Sequence, residues 1–148
     1  MWVSTKAQYG MRALVEVALG GDRPTSLKQV ADRQGLSQQY LEQIFAVLRR
    51  GGVVESVRGA HGGYRVVRPF HEVLALDVIE LLEGSVAPVA CIDEPDGCER
   101  TGQCSTEGLW RDVDAAVRRV LGATSLADLV SQRELLQIEP LPAAFAAS

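Results

Sequence analysis

The sequence is poor in the side chains on which most catalytic chemistry depends. Two histidines, His61 and His71, and three cysteines are all it offers in 148 residues. It shows no Ser/His/Asp set for nucleophilic catalysis and no glycine-rich phosphate loop, so the expectation is a protein that is not an enzyme. Long apolar runs are missing too: none reaches the roughly 18 to 20 residues that cross a bilayer. The opening residues, Met1 to Lys6, lack the apolar stretch of a secretory signal. A cytoplasmic protein with no membrane partner is therefore expected. Three cysteines is an odd count, and in a reducing cytosol such a set argues for metal binding or redox chemistry over a disulfide framework.

What is present suffices for one real core and an added segment, since 47% of the residues are hydrophobic. The net charge of −4 conceals a division. Residues 1–70 carry +5, with ten basic and five acidic side chains, whereas residues 71–148 carry −9, with five and fourteen. Such asymmetry suggests a basic part facing nucleic acid joined to an acidic part with another task.

Apolar spacing predicts a helix over 6–19, where Met11, Leu14, Val17 and Ala18 recur at helical intervals. Thr25 or Ser26 can cap a second helix over 27–34, which Gly35 closes, and Ser37 caps a third that runs to about Arg50. Two short helices joined by a glycine-containing turn are a helix-turn-helix signature. Strand-like runs at 53–58 and 64–68 flank Gly59-Ala60-His61-Gly62-Gly63, which reads as a hairpin and, after three helices, as a wing. A helix follows over 75–82, then loop over 85–103, a strongly amphipathic helix over 106–121 and a short one over 125–131. The fold class is thus mainly α with a small β-hairpin. The expected domains are a winged helix-turn-helix at 1–84, a cysteine loop at 85–105, a dimerisation helix with the short helix at 106–133, and a mobile Pro/Ala-rich tail at 134–148.

The run Ser37-Gln38-Gln39-Tyr40-Leu41-Glu42-Gln43, followed by Ser56-Val57-Arg58-Gly59-Ala60-His61-Gly62-Gly63-Tyr64 and the cysteine triplet, resembles the IscR/NsrR/RirA-type family of winged-helix regulators. The likeness covers nearly the whole chain. It implies a homodimer that binds double-stranded DNA at a pseudo-palindromic operator and senses iron-sulfur cluster status, redox state, nitric oxide or iron. A cluster-free regulator of the same fold, responding to thiol oxidation or a metabolite, is the competing expectation.

In a winged helix the second helix of the motif enters the major groove. Gln38, Gln39 and Gln43, near the start of that helix, have the paired donors and acceptors that read base edges. Glu42 repels phosphate unless it accepts from a cytosine amino group or pairs internally, so it can discriminate between sequences. Arg58 at the wing suits a minor groove or a phosphate, and Lys28, Arg49, Arg50 and Arg65 suit the backbone. Tyr40 either bonds a phosphate or packs under its helix.

The thiols follow the spacing Cys91-x6-Cys98-x5-Cys104. Each alone could be an inert buried thiol; together they suit zinc, which usually shows closer Cys pairs, or an iron-sulfur cluster. The resemblance implies the cluster, with 2Fe-2S or 4Fe-4S undecided. It also implies a fourth ligand three residues after the last cysteine, where the relatives' histidine is replaced by Glu107. An acid there is equally well explained by the dipole of the helix it starts. Another member takes an acid from the first helix of the partner, and the matching residue here is Gln8, a poor ligand. His61 and His71 are the remaining nitrogen donors. The long helix over 106–121 is expected to pack on its two-fold mate beside the cysteine loop, spacing two recognition helices about one DNA turn apart.

Overall fold

The computed structural model describes residues 3–136. Helix α1 (Thr5–Leu19) begins where the Ser4 hydroxyl accepts the Ala7 N–H at 3.3 Å, and it buries Ala13, Leu14, Val17 and Ala18. Helix α2 (Leu27–Gln34) is capped by Ser26, which accepts from the Gln29 N–H at 3.2 Å, and stops at Gly35 with φ 66°. Ser37 caps α3 (Gln38–Arg50) through the Tyr40 N–H at 3.3 Å. From α3 the side chains of Leu41, Ile44, Phe45 and Leu48 are wholly buried and form the centre of the core.

Strands β1 (Val54–Val57) and β2 (Gly63–Val66) pair antiparallel, Val54 opposite Val66 and Ser56 opposite Tyr64. Of the two caps expected for α2, only Ser26 serves. Thr25 instead joins the wing: its N–H donates to the Tyr64 carbonyl and its carbonyl accepts the Tyr64 N–H, both at 2.9 Å. This third strand position is one residue long, too short for any alternation to reveal. It explains Gly63, whose Cβ would lie 2.3 Å from the Thr25 carbonyl oxygen.

Helix α4 (Ala75–Glu83) packs on α1 and α3 through Val78, Ile79 and Leu82. The stretch expected to be loop carries a four-residue helix, α5 (Ala90–Asp93), and a 3-10 turn at Pro95–Gly97, both below the length at which helical periodicity shows. Next come α6 (Glu107–Gly122) and α7 (Leu126–Leu136). Residues 134–136, expected in the mobile tail, are the last turn of α7; the rest of that stretch, 137–148, lies outside the described residues.

Helix α7 returns to the N-terminal core. Leu126 is buried there, its N–H donating to the Val73 carbonyl at 2.7 Å, while the Ala75 N–H donates to the Thr124 carbonyl at 2.8 Å. Glu16 reinforces this return. Although 2% exposed, its carboxylate accepts from Gln34 Nε2 at 2.9 Å and Arg133 Nε at 3.3 Å, with Arg33 at 3.8 Å, so it clamps α1, α2 and α7 together. Arg118 ties α6 to α4 through Asp114 at 3.0 Å and Glu80 at 2.7 Å. No described helix is long and apolar enough to cross a membrane.

Candidate nucleic-acid interface and thiol loop

Burial of Leu41, Ile44, Phe45 and Leu48 leaves the opposite side of α3 to Gln38, Gln39, Glu42 and Gln43, all exposed. Gln38 Nε2 donates to Glu42 Oε1 at 3.4 Å, which partly occupies the acid internally. Tyr40 is half-buried, and its ring meets that of Tyr9 edge-on at 6.3 Å between centroids. Its aromatic body therefore supports the helix from beneath. The wing is seated on α3 by Tyr64, 5.1 Å from the Phe45 ring.

The basic residues divide by commitment. Lys28 reaches Asp32 at 3.7 Å, and Arg65 pairs with Glu55 across the hairpin. Arg49 and Arg50 at the end of α3 and Arg58 at the wing are exposed, with no ion pair among the described residues. Of the basic residues singled out for DNA, these three are uncommitted and available to an outside anion.

The thiols are spread along the second feature. Cys91 lies on α5, Cys98 just beyond the 3-10 turn and Cys104 before α6; all three are free and half-buried. Cys91 and Cys98 line one hollow of about 440 Å³ with Glu94 and Arg100, which Cys104 does not reach. Among the described residues no three His, Cys, Asp or Glu side chains stand together in a group that would hold a metal ion. Cys104 Sγ lies 3.3 Å from the Thr106 hydroxyl. That contact, aided by the Thr106 and Glu107 backbone and by Arg100, holds the Cys104 thiol below its ordinary value.

Glu107 is fully engaged. Its carboxylate takes the Arg111 guanidinium at 2.6 and 3.0 Å and the Gly102 N–H at 2.8 Å. Arg111 first, then the Gly102 amide, keep it below the usual carboxylate range. Glu107 thereby fastens the loop to the start of α6. Gln8 Nε2 donates to the Val3 carbonyl, His61 is at the wing tip, His71 lies 3.8 Å from Glu72, and none of them lines the thiol hollow.

The long helix α6 buries none of its sixteen residues. Leu109 is 54% exposed and Val120 60%, although the apolar residues recur at helical spacing. Neither the Thr25 strand nor the Glu16 clamp is visible in the sequence; the Glu107–Arg111 pair is readable there as an i, i+4 acid and base.

Three core helices, a wing and an exposed Gln-rich helix define a winged-helix regulator. A model of the Rrf2 family, described as iron-dependent transcriptional regulators, matches residues 3–132, and the chain belongs to that family. It is 38% identical over 136 residues to protein rrf2 of Nitratidesulfovibrio vulgaris, covering 91% of each chain. It is similar to the solved structure of CymR, the global cysteine regulator of Bacillus subtilis, with TM-score 0.75, 39% identity and coverage of 89% of this chain and 98% of that one. The IscR structure from T. potens gives TM-score 0.75 at 37% identity, over 98% of this chain and 96% of the other. These relatives are transcriptional regulators, not enzymes.

Proposed function

We propose that the chain is a homodimeric, cytoplasmic DNA-binding regulator that uses the Cys91, Cys98 and Cys104 loop as its sensor and acts as a switch without turnover. The observation that carries this reading is α6: an amphipathic helix with no buried residue runs directly out of the thiol loop. Pairing α6 with its mate covers the apolar face, couples the loop to the spacing of two recognition helices and suits a pseudo-palindromic operator. Gln38, Gln39 and Gln43 then read bases in the major groove, Glu42 discriminates, Arg58 follows the minor groove, and Arg49 and Arg50 hold phosphates. Lys28 and Tyr40 act at the edge of that footprint.

The sensor reading is an iron-sulfur cluster on the three cysteines. The donor set fits in kind, with three partly exposed thiols on one loop and two of them on the walls of one hollow. Cys104 has to be drawn toward the other two. When bound, the cluster supplies a centre sensitive to oxidants, nitric oxide and iron supply. Glu107 stands at the position where the relatives' histidine is the fourth ligand, and ligation would exchange its bonds to Arg111 and Gly102. A cluster-free thiol switch is the second reading, favoured by the acidified Cys104 thiol beside Thr106.

Anaerobic purification with iron and sulfide analysis and a visible spectrum separates the two. Cluster-bound protein absorbs in the visible, and Cys98→Ser abolishes that absorption and changes operator affinity. Colourless protein whose DNA binding responds to a thiol oxidant identifies the second reading. Equal operator binding by all of these forms would sink both.

A further inference from the structure

Besides holding α7, the Glu16 carboxylate is one member of a longer series of contacts. Its Oε1 accepts from Arg133 Nε at 3.3 Å on one side and from Gln34 Nε2 at 2.9 Å on the other. Gln34 is the last residue of α2, and its side-chain oxygen accepts from Arg12 Nε at 3.1 Å. A second nitrogen of that guanidinium, Nη2, donates to the Gln34 carbonyl at 3.0 Å and so satisfies a group that the end of a helix leaves open. With an acid on one side and a guanidinium on the other, the Gln34 amide has a single workable orientation. The three side chains lock one another.

Arg12 carries the series on to α3. Its guanidinium carbon lies 5.6 Å from the centre of the Tyr9 ring, and that ring meets Tyr40 edge-on at 89°. Tyr40 belongs to the first turn of α3, beside Gln38 and Gln39, where its N–H donates to the capping Ser37 hydroxyl. The connection between α2 and α3, Gly35-Leu36-Ser37, has no fully buried residue to fix its course. Its two ends are gripped instead, at Gln34 by Arg12 and at Tyr40 by Tyr9. Both grips come from α1 and stand one helical turn apart.

We propose that Arg12 and Tyr9 are positioning residues for base reading, and that Arg133 of α7 steadies their setting through Glu16 and Gln34. The assignment rests on the DNA-binding reading above, in which Gln38 and Gln39 meet base edges. Arg12 and Tyr9 set the angle at which α3 leaves the helix-turn-helix, and a shift of that angle moves both glutamines together. Helix α7 follows the thiol loop and α6 directly, so a displacement that begins there reaches the first turn of α3 through side chains already in contact. Arg133 thus bears on sequence preference from a helix outside the winged-helix motif, while contacts to the DNA backbone elsewhere are untouched.

The test is a double-mutant cycle on DNA binding, with wild type, Arg133→Met, Tyr9→Leu and the double variant measured at one salt concentration. Each is titrated with an operator duplex selected by the wild type from a random pool and with an unrelated duplex. Arg133 meets α1 at Glu16, two turns and roughly 10 Å along the axis from Tyr9, a separation at which effects ordinarily add. Each single variant is expected to lose about five- to tenfold in operator affinity while binding the unrelated duplex as wild type does. The double variant is expected to lose little more than the worse single one, because both changes cut the same series. Urea midpoints establish that each protein is folded under the binding conditions; should Tyr9→Leu not fold, Arg12→Met takes its place in the cycle with the same expectation. Losses that multiply in the double variant, or single variants that keep the full operator preference, overturn the proposal. A wild type that selects no duplex from the pool fails the regulator reading itself, a result distinct from a wild type with an operator and independent losses.

Discussion

A single carboxylate shows how individual residues hold this molecule together. Glu16 sits between Val15 and Val17 on a helix whose neighbours are apolar, and its partner Arg133 is 117 positions away. Replacing Glu16 with Ala strands the Gln34 amide and takes an acceptor from Arg133, which is largely covered. A loss of about 1 to 3 kcal/mol is expected, read as a lower urea midpoint; an unchanged midpoint would show that the clamp contributes nothing. No local pattern announces such a residue, because its meaning lies in a contact that only the finished fold creates. Leu41, Ile44, Phe45 and Leu48 are the opposite case. Their period alone names the buried side of α3, and by subtraction it names Gln38, Gln39, Glu42 and Gln43 as the exposed side. Glu107 falls between: its position in the sequence suggests a ligand, whereas its bonds to Arg111 and Gly102 make it the fastening between loop and helix.

At the scale of elements, the caps were legible and the short pieces were not. Ser26 and Ser37 begin α2 and α3 as their residue types require, while α5 and the Thr25 strand are too brief to carry a period. Helix α7 begins with a reciprocal pair: the Ser125 N–H donates to Asp128 Oδ2 at 2.8 Å and the Asp128 N–H donates to the Ser125 hydroxyl at 3.1 Å. The Ser125 amide first, then its hydroxyl, hold the Asp128 carboxyl below its ordinary value. The unfolded chain lacks these bonds, so its carboxyl titrates higher. The stabilisation is therefore complete above the ordinary Asp value and is lost as pH falls through the lower folded one. Urea midpoints of wild type and Asp128→Ala should differ at neutral pH and draw together once the medium is acid enough to protonate the folded carboxyl; a gap that stays constant with pH would remove the carboxylate from the account.

For the whole molecule, the open question in the sequence was what covers α6. Its periodicity was plain, but an apolar stripe looks the same whether it packs on its own chain or on another. Within one chain it packs only partly, leaving Leu109 and Val120 in solvent. Val120→Glu should raise the dimer dissociation constant about tenfold or more, since an unpaired charge in an apolar interface costs at least about 1.4 kcal/mol. Sedimentation equilibrium reads this directly, and a variant as dimeric as wild type would move the interface elsewhere.

The hydrogen bonds between Ala75 and Thr124, and between Val73 and Leu126, have a further consequence. The chain is stapled at one place where it rejoins the core; within the staples α4 still packs into that core, and the stretch beyond Val86, with the thiol loop and α6, is a detour. A detour of this kind puts little strain on its host whatever its length or contents. The thiol loop can then be recast, with a different number of thiols or a different ligand beside them, while the helices and wing that meet DNA keep their shape. On the proposed function, a new signal would be acquired by editing the detour, and an operator by editing the face of α3.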